Sequence, residues 1–239
     1  LGDNRALLQA RIDQGQVCDG HGVLTTGNIY LENGIQIIDS AGNRLGGAAA
    51  TLRNIISANG GEGVGVYGAA ATGNVIAGNY IGTDASGAAA LGNNASGVYI
   101  RRAPDNFVTG NVVSANNNPA AGFAGVAVCG SAAFCGGGDL GTPGSNASGN
   151  VIQGNRIGTD WSGTADLGNA LRGVSIDGAP NTLVGGTDAA QRNVISGNGL
   201  FGVAIFGAGA TGNQVLGNYI GTNAAGAAAI PNGSNGVDL

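Results

Sequence analysis

Lysine and methionine are absent from this chain, histidine occurs once, and only 10% of the 239 residues are charged and 5% aromatic. The missing lysine excludes every mechanism that runs through a lysine amine. The lone histidine, His21, stands in a Cys-Asp-Gly-His-Gly turn with no partner that spacing identifies, and it reads as a solvated loop residue. No apolar run approaches the ~20 residues of a membrane span. A net charge of −5 and a pI near 4.5 leave no basic stripe for nucleic acid or an anionic membrane. There is no Gly-x-Ser-x-Gly elbow. An initiator methionine and the regions of a signal peptide are also missing, so the sequence reads as a processed chain or an excised segment.

Cysteine is scarce too, at three residues. Cys129 and Cys135 lie five residues apart in a glycine-rich stretch that lacks the ligands of a zinc site, so a local disulfide between them is expected. Such a bridge favours an oxidising compartment. Cys18 is left over, either buried as a small apolar residue, the preferred reading, or available to another chain.

What the chain has in excess is glycine, 49 residues, together with asparagine and short aliphatic pairs. The string NVIAGNYIGTD, residues 74–84, returns as NVIQGNRIGTD at 150–160 and as NQVLGNYIGTN at 213–223. Related starts at Asn54, Asn74, Asn111, Asn150, Asn193 and Asn213 are separated by 20, 37, 39, 43 and 20 residues. A unit of about 20 residues follows, with the larger gaps read as two units and insertions. A second anchor, Gly-Val-x-aliphatic, opens at Gly63, Gly97, Gly125, Gly173, Gly202 and Gly236 and advances with the first.

So short a unit cannot bury a face alone, and stacking is its remedy. The fold expected is therefore all-β, a right-handed parallel β-helix with coils of about 20 residues grouped in threes. Inward positions include Ile76, Ile81, Ile152, Ile157, Val215 and Ile220. The six asparagines that open the units are expected to stack as one amide ladder. Residues 1–41 form an N-terminal cap with the first strands, where the Ala6, Leu7, Ala10, Arg11 spacing suits a short amphipathic helix. Residues 42–239 form the array, interrupted by a cysteine-bearing loop at about 129–147.

The segments NVISGN, GNYIGTD, ALGN and GVYI resemble right-handed parallel β-helix repeats of large secreted and cell-surface proteins, the pectate-lyase-like solenoids. The resemblance covers about 42–239. It implies the fold and leaves function open, because the same solenoid carries lyases, adhesins, tailspikes and fibres. A pectinase-like site would need clustered carboxylates on adjacent coils. Asp84 and Asp160, three coils apart in the expected grouping, would stand about 14 Å from one another. Paired glycosidase carboxyls sit about 5 to 9.5 Å apart. No catalytic residue is assigned.

Three smaller motifs recur along the array. GTDASG and GTDWSG offer oxygen ligands to Ca2+ but match no EF-hand loop, and the aspartates read as caps of their own turns. No cofactor is assigned beyond that weak Ca2+ reading. Tyr80, Arg156 and Tyr219 recur in register and read as cover for neighbouring coils more readily than as a sugar-stacking stripe. Thr83, Thr159 and Thr222 recur too sparsely for an ice-binding face.

Repetition without an evident site, and a last motif that stops at Leu239 within a coil, lead to the functional expectation. It is a non-catalytic extracellular module: a subunit of a self-assembling surface filament, or the stalk of a large surface protein. Its partners would be further repeats or a second copy joined head to tail. A polysaccharide lyase or hydrolase, and a carbohydrate-binding adhesin, remain alternatives.

Overall fold

A computed structural model describes residues 33–116, 123–130 and 147–239. The expected N-terminal cap, Cys18, His21 and Cys135 lie outside them, as does most of the cysteine-bearing loop.

Every strand is parallel to its neighbours, and the chain passes three sheets in turn before returning one level up. The first coil holds Ile35–Ile38 (β1), Arg44–Gly46 (β2) and Ile55–Ile56 (β3). The second holds Val64–Tyr67 (β4), Val75–Ala77 (β5) and Tyr80–Ile81 (β6). The third holds Val98–Arg101 (β7), Phe107–Thr109 (β8) and Val112–Val113 (β9), and the fourth Ala124–Cys129 (β10), Val151–Gln153 (β11) and Arg156–Ile157 (β12). Arg172–Asp177 (β13), Leu183–Gly185 (β14) and Val194–Ile195 (β15) make the fifth. Val203–Phe206 (β16), Gln214–Leu216 (β17) and Tyr219–Ile220 (β18) make the sixth, and Val237–Asp238 (β19) opens a seventh. The first strands of the coils form a seven-stranded sheet A, the second a six-stranded sheet B and the third a six-stranded sheet C. This is a right-handed parallel β-helix, the hand that parallel crossovers take.

The coil, however, is not 20 residues long. The paired positions Ile35, Val64, Val98, Val126, Val174, Val203 and Val237 are separated by 29, 34, 28, 48, 29 and 34 residues. Coils therefore alternate between a shorter and a longer form, and they group in pairs, not threes. The 20-residue interval from Asn54 to Asn74 measures something else. Asn54 precedes β3 in sheet C of one coil, and Asn74 precedes β5 in sheet B of the next, so the interval spans only part of a circuit.

Inside the bore the aliphatic side chains form vertical files. In sheet B the register runs Leu45, Ile76, Val108, Ile152, Val184, Val215. In sheet C it runs Ile56, Ile81, Val113, Ile157, Ile195, Ile220. Ile76, Ile81, Ile152 and Ile157 are fully buried, and Val215 and Ile220 pack against the same core.

The six asparagines expected in one ladder divide between two. Asn74, Asn150 and Asn213 stand before sheet B, where Asn43 donates to Asn74, Asn74 to Asn106, and the Asn106 N–H to Asn150. Thr182 takes the asparagine position in the fifth coil, so the amide chain breaks there and the buried Thr182 hydroxyl has no partner among the described residues. Asn54, Asn111 and Asn193 stand between sheets B and C, in an unbroken ladder through Asn54, Asn79, Asn111, Asn155, Asn193 and Asn218. A third ladder follows sheet C through Asn59, Asn93, Asn116, Asn169, Asn198 and Asn232. In the two unbroken ladders each amide below the last coil passes one N–H to the asparagine of the next coil, and the central amides are buried and satisfied in this way.

Candidate functional site

The connections between sheets B and C come in two lengths. In the second, third, fourth and sixth coils two residues suffice: Gly78-Asn79, Gly110-Asn111, Gly154-Asn155 and Gly217-Asn218. In the first and fifth coils the connection swells to eight residues and winds a 3-10 turn, at Ala50–Leu52 and Ala189–Gln191. These two ribs stand four coils apart, about 19 Å at the spacing of parallel strands, with three flat turns between them. The result is a groove of about 430 Å3.

Its floor is built from strand ends Ala77, Thr109 and Gln153 and from the turn glycines Gly78, Gly110 and Gly154. Those glycines have φ of 67°, 65° and 68°, the left-handed region in which a side chain is strained. A Cβ on Gly110 would enter open space. The glycine N–H groups are all engaged, with the carbonyls of Thr109, Gln153 and Gln191 respectively. Arg44 and Arg53 stand at the first-coil end and Gln191 at the other, and among the described residues no acidic side chain lines the groove. Arg53 lies over the Tyr80 ring at 3.9 Å, and its Nε donates to the Gly78 carbonyl at 3.3 Å. Gln153 Nε2 donates to the Gly185 carbonyl at 2.8 Å.

A second feature is a ridge of loops after sheet C in alternate coils. The motif threonines Thr83, Thr159 and Thr222 bridge to Ala90, Asp166 and Ala229, closing each loop. Thr83 and Thr159 are completely buried, which removes any ice-binding role. Asp84 accepts from the Ser86 hydroxyl and the N–H groups of Ala88 and Ala89, and Asp160 from the Ser162 hydroxyl and the N–H groups of Thr164 and Ala165. In the third copy the Asn223 Oδ1 accepts from Ala227 and Ala228 N–H. The turn thus requires an acceptor and not a charge, which explains the exchange of aspartate for asparagine.

These bonds also set the acidity of the pair. The Ser86 hydroxyl and the Ala89 N–H hold the Asp84 carboxyl below its usual range. Burial pulls Asp160 upward, but the Ala165 N–H and the Ser162 hydroxyl outweigh it and its pKa also falls. Asp84 and Asp160 are two coils apart, about 10 Å, not the three coils expected. Distance alone therefore does not separate them from a catalytic pair, but each carboxylate is engaged by the hydroxyl and N–H groups of its own loop. Among the described residues no group of three or more His, Cys, Asp or Glu is gathered as metal ligands.

Tyr80, Arg156 and Tyr219 share one file of sheet C, every second coil. Tyr80 is buried beneath Arg53, and Arg192 covers Tyr219 in the same manner at 4.2 Å. Where Arg156 replaces tyrosine, the residue corresponding to Arg53 is Gly110. Two guanidinium groups are never stacked. The stripe is cover for neighbouring coils.

Sheet A carries on its outer face a cluster that sequence reading missed. Tyr67 and Tyr99 meet edge to face at 6.0 Å, and Arg101, Asp177 and Cys129 are buried beside them. Burial pushes Tyr99 up to about 12, and burial with the nearby Glu62 carboxylate pushes Tyr67 further. Cys129 is disulfide-bonded to a residue outside the described ones. Arg172 lies 5.2 Å from the Phe206 ring, its pKa lowered by burial, while burial raises that of Asp177 against the pull of Arg172. The signal for this cluster was present as the alternate residues of GVYIR and RGVSID, polar where the strand faces outward.

No family model, curated protein or solved structure matches the chain. Among the described residues no helix is long and apolar enough to cross a membrane.

Proposed function

We propose that this chain is a rigid, non-catalytic length of an extracellular rod, part of a surface fibre or of the stalk of a larger surface protein. The observation that supports it is the constancy of register: the core files of sheets A, B and C keep one alignment from the first coil to the sixth, whatever is inserted between strands. Such an array can be lengthened by pairs of coils without altering its cross-section. The disulfide at Cys129 suits an oxidising location outside the cytoplasm. Kinship with pectate-lyase-like solenoids belongs to this proposal and rests on the shared motifs.

The test is surface labelling of intact source cells with antibody against the Asp84 and Asp160 loops, together with incubation of the purified protein with acidic and neutral polysaccharides. Labelling without permeabilisation, and no release of reducing or unsaturated ends, is the expected outcome. Labelling only of opened cells would remove the surface role, and cleavage of any polysaccharide would remove the non-catalytic one.

A further inference from the structure

We infer that the groove between the two ribs is a binding site for a glycan whose sugar rings carry oxyanions, carboxylate or sulfate, held by Arg44 and Arg53. The site stands apart from the rod role, since a rod serves as a spacer whether or not its flank binds a ligand.

Charge is the first ground. The chain holds 14 acidic residues against 9 basic ones, yet among the described residues the groove is lined by two arginines and no acid. The Arg44 side chain is exposed and makes no hydrogen bond or ion pair among the described residues. Arg53 is held by its stack on Tyr80 and by one bond from Nε, and its terminal nitrogens have no partner among the described residues. A fork fixed in this way loses little freedom when it meets a carboxylate or sulfate.

The floor decides the rest of the ligand. Its glycine N–H groups are consumed by the coil above, so there is no strand edge on which a peptide could pair. Two cations are too few for a nucleic acid, whose affinity rests on many neutralised phosphates. What the floor does offer is a bare glycine track with the side chains of Thr109 and Gln153 on successive coils, stepping about 4.8 Å along the axis. Hydroxyl and amide groups at regular steps, beside an arginine pair, suit a polyhydroxylated chain with anionic substituents.

The repeat supplies an internal control. Arg192 makes the same stack on Tyr219 and the same Nε bond, to the Gly217 carbonyl at 2.9 Å, but does not line the groove. Arg192→Ala therefore removes the structural device without touching the site.

Isothermal calorimetry would use the folded protein with a short sulfated oligosaccharide, a short oligouronate and a neutral oligosaccharide of equal length. The expected result is saturable binding of at least one anionic probe, at least tenfold tighter than the neutral one and weakening with salt. Arg53→Ala and the exposed Arg44→Glu should each weaken it tenfold or more, while Arg192→Ala leaves it unchanged. The preferred anionic arm identifies the oxyanion. Equal binding of neutral and anionic probes, no saturable binding of any probe, or equal weakening by Arg53→Ala and Arg192→Ala would overturn the assignment.

Discussion

Replacing Asn155 by alanine should lower the free energy of unfolding by about 4 kcal/mol. Asn155 lies in the unbroken ladder between sheets B and C and is 1% exposed. Its Oδ1 accepts from both the N–H and the Nδ2 of Asn111, at 2.9 and 3.0 Å, and its Nδ2 donates to the Val108 carbonyl at 2.8 Å and to Asn193 Oδ1 at 3.0 Å. Alanine removes all four bonds and admits no water in their place. A buried donor or acceptor left alone costs about 1 to 3 kcal/mol, far more than a typical bond contributes net. The comparison variant is Asn43→Ala, at an exposed position in the first coil, where water can take over. Urea unfolding followed by circular dichroism would separate the two: a midpoint shift for Asn155→Ala well beyond that of Asn43→Ala is expected, and equal shifts would mean that the ladders contribute no more than solvent does.

The glycine before the Val-x-aliphatic strand should be nearly as intolerant at Gly63, Gly97, Gly125, Gly173 and Gly202, where an added Cβ would meet the neighbouring coil. At Gly173 an added Cβ would lie 2.5 Å from Ile195 Cγ2, 2.7 Å from the Gly202 carbonyl and 2.8 Å from Asn198 Nδ2. Two of these neighbours belong to the core and to the third ladder, and the other is the backbone of the coil above. None is a loose side-chain end. Gly173→Ala is therefore expected to cost about 3 kcal/mol through overpacking. At Gly42, where φ is 70° and nothing lies within 4 Å of the added atom, alanine should cost only the left-handed backbone strain, about 1 kcal/mol. Thermal melts of the two variants would show it. If Gly42→Ala were the worse of the pair, backbone conformation and not the close approach of coils would explain the glycine anchor.

The fold was legible because its signals are local and repeated. Ile76, Ile152 and Val215 announce a file through identical surroundings, and the glycine anchor recurs because every coil must approach the next at the same point. The length of the coil was not legible from the spacing of the asparagines. Asn54 and Asn74 have similar sequence contexts but occupy different corners of the cross-section, each ending a two-residue or longer turn into a short strand. Chemistry at the two corners is the same, a buried amide bridging coils, so the sequence repeats at both and the period appears shorter than it is.

Site features divided along the same line. The role of Asp84 and Asp160 as turn caps could be read from GTDASG and GTDWSG because all partners lie within five residues. The groove could not, since Arg53 and Gln191 meet its two ends only after four coils have stacked. Its one visible trace was the likeness of GGAAATLRN to GGTDAAQRN, the two ribs. The tyrosines and buried charges outside sheet A depended equally on which strands became neighbours.

The most direct measurement of the stacking scheme is a pair of deletions. Removing residues 150–212, which are 63 residues and two whole coils, joins Gly149 to Asn213 and leaves β17 above β8, β18 above β9 and β19 above β10. Removing residues 193–212, which are 20 residues, takes out β15 and β16 and leaves sheets A and C a strand short while sheet B keeps both β14 and β17. The expected result is a cooperative, strand-rich unfolding transition for the 63-residue deletion and its loss or splitting for the 20-residue one. A 20-residue deletion that folds as well as the parent, with the 63-residue deletion unfolded, would contradict the paired coils.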